Sequence, residues 1–276
     1  MTAATITPTD FDFLSGLVRD RSAIVIDPGK EYLVTSRLAP VAKSAGLEDI
    51  GALVRNVRSN PRSPLTEQVI DAMTTNETLF FRDVHPFESL HLHILPELIE
   101  ARRDFRSLNV WCAASSSGQE PYSLAMLLHE HFPELASWRV RITATDISPT
   151  MVERARGGRY SQLEVNRGLP ANLLVKHFAR DGAHWVLDPK IRSLVTFEQL
   201  NLIDAWPQIV QSDLVMIRNV LIYFDAETKE NILDRIRGLL SPVGVLMVGS
   251  SETIQAGSWT RHVHDRTSYY RPTKGV

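Results

Sequence analysis

Two acidic residues stand where an α/β chain places its ligand-binding groups. Glu120 follows the run LNVWCAASSSG (Leu108–Gly118) at the start of a helical stretch, and Asp146 ends the run RVRITAT (Arg139–Thr145). The first run reads as strand, small-residue turn and helix start. Small side chains let backbone approach a ligand, and the first N–H groups of a helix have no intrahelical partner. An acid closing the second strand of a βαβ unit is placed to accept hydrogen bonds from ribose hydroxyls. Taken alone, the unit also reads as an ordinary strand-to-helix crossover with a chance acid. If it is a ligand site, the ligand contains a nucleoside. The turn holds one glycine, Gly118; no Lys or Arg lies between Trp111 and Trp138, and G-x-x-x-x-G-K-[ST] is absent. A ribose without a pyrophosphate therefore fits better than a dinucleotide or a nucleoside triphosphate, and S-adenosylmethionine is the leading candidate.

The rest of the composition narrows the setting. At 276 residues the chain has room for one large domain or two. A formal net charge of −2 gives no case for bulk nucleic-acid binding. No apolar run approaches the ~20 residues that span a bilayer, and MTAATITPTDFDF has neither the basic nor the apolar region of a signal peptide. With one cysteine, Cys112, there is no intrachain disulfide, which suits a reducing cytoplasm. Its place in a buried strand reads as an inert thiol.

The positioning elements fall into two patterns. Up to about residue 90 the spacing is helical, with starts at Thr7-Pro8, Gly29, Ile50 and Ser63-Pro64, and a further helix runs from His85 to Arg103. From Leu108 strands alternate with helices. Strands are expected near 108–112, 139–145, 194–199, 213–217, 243–249 and 267–271, and helices near 119–131, 149–156 and 226–240. The alternation fails over 159–193, where Asp181-Gly182 between two short runs signals a hairpin. The expected fold is α/β: a doubly wound, mostly parallel sheet over 91–276, an all-helical domain and linker over 1–90, and a small antiparallel subdomain inserted at about 159–193.

Six runs then occur in order: TTNETLFFRD (Thr74–Asp83), ASSSGQEPYSLA, TATDIS, Asn201-Leu202, IRNVLIYF (Ile217–Phe224) and VGSSET (Val248–Thr253). Together they resemble the CheR family of chemotaxis receptor methyltransferases, over nearly the whole chain. The resemblance implies a Rossmann-like class I methyltransferase sheet with a helical N-terminal domain and an inserted β-subdomain. It implies S-adenosylmethionine as methyl donor, S-adenosylhomocysteine as product, and glutamate side chains on receptor cytoplasmic helices as acceptors. Asn76, Thr78 and Arg82 match the family's segment over the cofactor. Ala113 and Glu120 match the first turn and helix start, with Glu120 toward the methionine end. Asp146 matches the ribose-binding acid, and Asn201 and Leu202 the pair beside the adenine. Arg218, Asn219 and Val220 match the end of the fourth strand, and Tyr223 the tyrosine near the transferred methyl. Gln119, where an acid is frequent, and the triple serine are mild departures.

Methyl transfer to a carboxylate needs positioning more than acid–base help, because a glutamate is ionised at neutral pH. A planar guanidinium can orient a carboxylate oxygen without competing as a nucleophile. Arg82, anchored by Phe80-Phe81, is the candidate for that role, and Tyr223 is the second catalytic candidate. No metal is expected. The pairs His91/His93, His129/His131 and His262/His264 are spaced i, i+2, which places them on different faces of a helix, and neither H-E-x-x-H nor C-x-x-C occurs.

Between Arg19 and Arg62 there are eight Lys/Arg against five Asp/Glu. Lys30, Arg37 and Lys43 lie on the second helical stretch, with Arg19 and Arg21 before it. This face suits an acidic helical partner, and equally a solvated helix surface. The minimal Asp181-Gly182 turn leads to the expectation that no C-terminal receptor peptide is gripped as a tether. The alternatives are a methyltransferase of the same fold acting on another substrate, or a non-catalytic cofactor-binding signalling protein.

Overall fold

The computed structural model describes residues 6–207 and 209–273. It divides into two compact units, Met1–Thr75 with Tyr223–Lys229, and Asn76–Ile222 with Glu230–Val276.

The first unit is helical: α1 (Pro8–Ser22), α2 (Glu31–Ser44), α3 (Ile50–Ser59) and α4 (Pro64–Met73). Side chains start three of them. The oxygens of Thr7, Asp49 and Ser63 accept from the N–H groups of Asp10, Ala52 and Thr66, which satisfies donors a helix start otherwise leaves unpaired. Leu14, Val18, Val34, Leu38, Leu53 and Val69 form the buried seam. Arg37 turns inward. Its Nη1 donates to the carbonyls of Met73 (2.7 Å) and Thr74 (2.8 Å), and its Nη2 to Thr75 Oγ1 (3.0 Å). Those are the orphan acceptors at the end of α4, so Arg37 serves as a C-cap rather than an open docking charge. Lys30 pairs with Asp27 at 2.8 Å and Arg19 with Asp225 at 2.9 Å. Lys43 remains exposed. The late segment joins this unit through the Arg19 pair and through Val25 N–H donating to the Tyr223 carbonyl at 3.0 Å.

In the second unit α5 (His85–Ser89), a π-helical turn (Leu90–Ile94) and α6 (Leu95–Arg102) lead into β1 (Ser107–Ala113). Then follow α7 (Gln119–His131), β2 (Arg139–Asp146) and α8 (Pro149–Gly157). The insertion holds β3 (Arg159–Ser161), α9 (Gln162–Val165), α10 (Ala171–His177), β4 (Phe178–Asp181), β5 (His184–Leu187) and α11 (Pro189–Arg192). The main sheet resumes with β6 (Val195–Gln199), β7 (Ser212–Ile217), α12 (Ala226–Leu239), β8 (Leu240–Val248), β9 (Trp259–His264) and β10 (Thr267–Pro272).

The large sheet has the order β6-β2-β1-β7-β8-β10-β9. Its first five strands are parallel, and β10 is antiparallel to both its neighbours. This is the doubly wound order with a reversal beside β1, where α/β sheets bind ligands. Leu108, Val110, Leu214, Met216 and Val245 are buried in the strands, as sheets covered on both faces require. The insertion forms a separate antiparallel sheet, β3-β5-β4. Its β4–β5 hairpin turns through the two residues Gly182-Ala183, closed by the pair Asp181 and His184. Two strands escape the sequence pattern. β3 has three residues, and β9 is an edge strand whose run WTRHVH is mostly exposed, so burial imposes no alternation on it. Among the described residues no helix is long and apolar enough to cross a membrane.

Candidate functional site

Parallel register brings four strand ends together. Ala113, the last residue of β1, lies opposite Thr145 on one side and Ile217 on the other. The next residues along those neighbours are Asp146 and Arg218, so the turn after β1 has the acid on one flank and the arginine on the other. β2 also pairs with β6, Asp146 opposite Gln199, and Leu200 N–H donates to the Asp146 carbonyl at 2.9 Å. Asn201 and Leu202 follow directly.

The turn itself is tightly tied. Ala114 and Ser116 take positive φ values of 53° and 49°, a conformation that small residues tolerate at modest cost. The buried Asp146 carboxylate accepts from Ser116 N–H (2.7 Å) through Oδ2 and from Ser148 N–H (2.9 Å) through Oδ1. Ser116 Oγ donates to the Asn76 carbonyl at 2.8 Å. Ser116 thus links two residues that the sequence assigns to one ligand. Ser115, 3% exposed, has a buried hydroxyl with no hydrogen-bond partner among the described residues. A buried orphan hydroxyl in a turn of small residues, next to the acid that ends β2, fits a polar ligand of the nucleoside type. Burial pushes the Cys112 thiol up, with Glu120 adding to the shift, which agrees with an inert thiol in β1.

Arg218 is the buried charge of the site. Its Nη1 donates to Glu120 Oε2 at 2.6 Å, and its Nη2 to Asp83 Oδ2 at 2.9 Å and to the Arg82 carbonyl at 3.1 Å. Ser250 Oγ donates to the same Asp83 oxygen at 2.8 Å. A guanidinium between two carboxylates fixes the first turn of α7 to the segment carrying Arg82. That segment has an unusual backbone: Phe81, Asp83 and Val84 have φ of 47°, 70° and 55°. Positive φ at bulky residues costs on the order of 1–3 kcal/mol each and persists only where the surroundings enforce it. Phe80 supplies that enforcement. Fully buried, its ring meets Tyr160 and Phe178 edge-on at 4.9 Å and 5.8 Å. Phe81 N–H donates to Ser123 Oγ at 2.9 Å. Gly168, at φ +88°, lies so close that a Cβ there would meet the Phe80 carbonyl oxygen at 2.0 Å. Arg82 is half-buried, and its Nη1 donates to the Glu77 carbonyl at 3.1 Å.

Beyond β7 the chain is held by an acid to which the sequence reading gave no role. The buried Glu252 carboxylate accepts from the N–H groups of Asn219 (2.7 Å), Gly249 (2.6 Å) and Ile222 (3.3 Å). Asn219 has φ 60°. A Cβ at Gly249 would fall 2.7 Å from Glu252 Oε2 and 2.9 Å from Asn219 N, so the carboxylate needs a glycine there to reach its donors. Asp83, Gly168 and Glu252 are the further supporting residues. Asp83 and Glu252 lie inside motifs quoted above, which was the available signal; Gly168 carried none. Val220 follows Asn219 and is half-buried, whereas Tyr223 belongs to the helical unit.

Comparison with known proteins covers both units. Residues 76–269 match the family described as CheR methyltransferase, SAM binding domain, and residues 9–74 match CheR methyltransferase, all-alpha domain. Chemotaxis protein methyltransferase 1 of Pseudomonas aeruginosa is 44% identical over 250 residues, covering 89% of this chain and 90% of its own length. Chemotaxis protein methyltransferase Cher2 of Pseudomonas putida is 41% identical over 249 residues, with 89% and 90% covered. A Vibrio parahaemolyticus chemotaxis protein methyltransferase is 40% identical, with 92% of each chain covered. The acid-flanked turn, the helical unit and these matches agree: the chain belongs to the CheR methyltransferase family and is an S-adenosylmethionine-dependent methyltransferase.

Proposed function

We propose that this enzyme methylates glutamate side chains on the cytoplasmic helical region of chemotaxis receptors, forming methyl esters. The observation that carries the reading is the match to chemotaxis protein methyltransferases over 89% of the chain, which extends through the helical unit as well as the sheet. A shared sheet alone would leave the substrate open.

S-adenosylmethionine supplies a methyl group activated by its sulfonium and leaves as S-adenosylhomocysteine. Asp146 accepts hydrogen bonds from the ribose, Asn201 and Leu202 border the adenine, and Ala113 allows close approach of the turn. Glu120, with Arg218, Asn219 and Val220, shapes the methionine end, and Asn76 and Thr78 cover the cofactor. Arg82 orients the acceptor carboxylate, which is already ionised and attacks the methyl carbon in line with the departing sulfur. The arginine must hold one oxygen lightly, because a tight ion pair would lower nucleophilicity. Tyr223, three residues beyond Val220 in sequence, is the second candidate for a catalytic role. Half-burial of Arg82 on a backbone held by Phe80 supports the orienting role. The helical unit contributes the receptor-facing surface, centred on Lys43 and not on Arg37. The two-residue β4–β5 turn supports recognition without a C-terminal peptide tether. The enzyme acts in the cytoplasm, where that receptor region lies.

Incubation with methyl-labelled S-adenosylmethionine and receptor cytoplasmic fragments tests the proposal. Label should enter the fragment and be released as methanol by mild base. Base-stable label, or label only on small molecules, would refute the ester. Deleting the last residues of the fragment should leave the rate unchanged, and a loss of rate would establish a tether.

A further inference from the structure

At the far end of α7 from Glu120, roughly 15 Å along the helix at 1.5 Å per residue, His129 and Glu130 meet His177, the last residue of α10. Glu130 Oε1 lies 2.7 Å from His177 Nε2 and 3.4 Å from His129 Nδ1. The two imidazole rings are perpendicular at 5.5 Å, and all three potential ligand atoms lie within 4.8 Å of one another. His177 is buried, Glu130 partly so, and His129 is exposed, which leaves one open side. We propose that His129, Glu130 and His177 form a binding site for a divalent transition-metal ion of the zinc type, separate from the cofactor residues.

The donor set selects the ion. Two imidazoles and one carboxylate suit zinc, whereas calcium and magnesium prefer all-oxygen shells. Zinc–ligand bonds of about 2.0–2.2 Å at tetrahedral angles put neighbouring ligand atoms about 3.3–3.5 Å apart. The His129–Glu130 separation already has that value. The His177–Glu130 contact is a hydrogen bond and opens by about 0.7 Å when the ion enters to reach the same spacing. Zinc takes the Nε2 lone pair of the Nδ1–H tautomer, so the proton that bridged to Glu130 is exchanged through water to Nδ1 and His177 binds as a neutral imidazole. Water completes the shell on the open side. Lys176 Nζ sits 2.6 Å from the other carboxylate oxygen, Oε2. It need not move: it fixes the carboxylate with Oε1 between the rings, as outer-shell partners of metal ligands do. Its positive charge opposes a dication, so the expected affinity is micromolar rather than nanomolar. α10 leads directly into β4, so a bound ion fastens the inserted sheet to α7.

The i, i+2 spacing of His129 and His131 hides this site in the sequence. The partner of His129 comes instead from a segment 48 positions away, brought close only by the fold.

Full-length protein stripped with chelator and dialysed is titrated with zinc chloride by calorimetry, and with cobalt(II) by visible absorption. One zinc per chain with micromolar affinity is expected, with intense d–d bands of low-coordinate cobalt. His129→Ala alters an exposed side chain and should weaken zinc binding at least tenfold and abolish those bands. Glu130→Gln should do the same, and S-adenosylhomocysteine affinity should be unchanged in both. Absence of zinc binding overturns the proposal. So does zinc binding that survives His129→Ala intact, which would place the ion on other histidines.

Discussion

Glu252 holds Asn219 by its backbone: the carboxylate accepts the Asn219 N–H at 2.7 Å while the asparagine sits at φ 60°. A residue 33 positions downstream thereby sets the backbone at the end of β7. Glu252→Gln keeps an acceptor for Asn219 and Gly249 but presents an amide N–H₂ to the Ile222 N–H. Hydrogen bonds to a charged acceptor are worth about 1.5–3 kcal/mol. Cofactor affinity should fall by about tenfold on one such loss, with a small change in melting temperature. Glu252→Leu leaves three N–H groups unpaired and should be markedly destabilised. Calorimetry beside thermal melts checks both, and a Gln variant with unchanged affinity would remove Glu252 from the positioning role.

Arg82→Ala should separate turnover from folding. The side chain is half-buried and makes one hydrogen bond to a carbonyl, so the melt should barely move. If it orients the acceptor, kcat should fall by about 100-fold, the scale of misplacing a reacting group. Equal losses of stability and activity would instead identify a structural arginine.

Gly168→Ala tests the backbone under Arg82 from a residue with no chemistry of its own. A methyl group cannot share space with the Phe80 carbonyl oxygen 2.0 Å away, and φ +88° disfavours any side chain. The segment must shift. Methyl transfer should drop at least tenfold even at temperatures where the variant is folded by circular dichroism. Wild-type activity would mean that the Phe80 position is not coupled to transfer.

Charge reversal on α2 should divide into two phenotypes. Lys43→Glu changes an exposed side chain, so it should raise KM for receptor, increasingly at low salt, without altering the melt. Arg37→Glu strips the end of α4 of its cap and should destabilise by roughly 1–3 kcal/mol. In the sequence both residues read as charges of one basic stretch. Arg37 is drawn inward because carbonyls after α4 need donors, a demand that lies 36 positions away and leaves no local trace.

Acid stability offers a further check. Asp225 has its carboxyl lowered to about 2, first by the backbone N–H of Thr228, then by the Thr228 hydroxyl and Arg19. The folded value lies below the ordinary 3.8, so this contribution is present above pH 3.8 and fades as pH falls toward 2. Asp225→Asn should lower the melting temperature at neutral pH, and the gap from wild type should close across that interval. A gap that persists below pH 2 would show that the carboxylate's charge is not responsible.

The readable parts of this fold were the local ones. Val110-Trp111-Cys112 followed by small residues specifies strand and turn within a dozen positions, and Thr7 and Ser63 announce their helices one residue ahead. β9 was unreadable because an exposed edge strand carries no burial pattern. The same limit applied to the site. Asp146 and Glu120 stand at element boundaries that the sequence reveals, whereas Glu252 and Gly168 act on backbone groups far along the chain. Tyr223 lies in a motif beside β7, yet its carbonyl bonds to Val25 of the helical unit, a partnership no spacing rule reports.

That late segment has a consequence for synthesis. The helical unit leaves the ribosome first, but its Val25 and Arg19 partners, Tyr223 and Asp225, emerge some 200 residues later. The sheet unit as far as β7 is translated in between, while most of α12 and strands β8 to β10 follow. The N-terminal helices therefore gain these two contacts only after the chain has been made as far as residue 225. The helical unit is completed by a segment that follows β7 in sequence, so a chain released before that segment would lack these contacts.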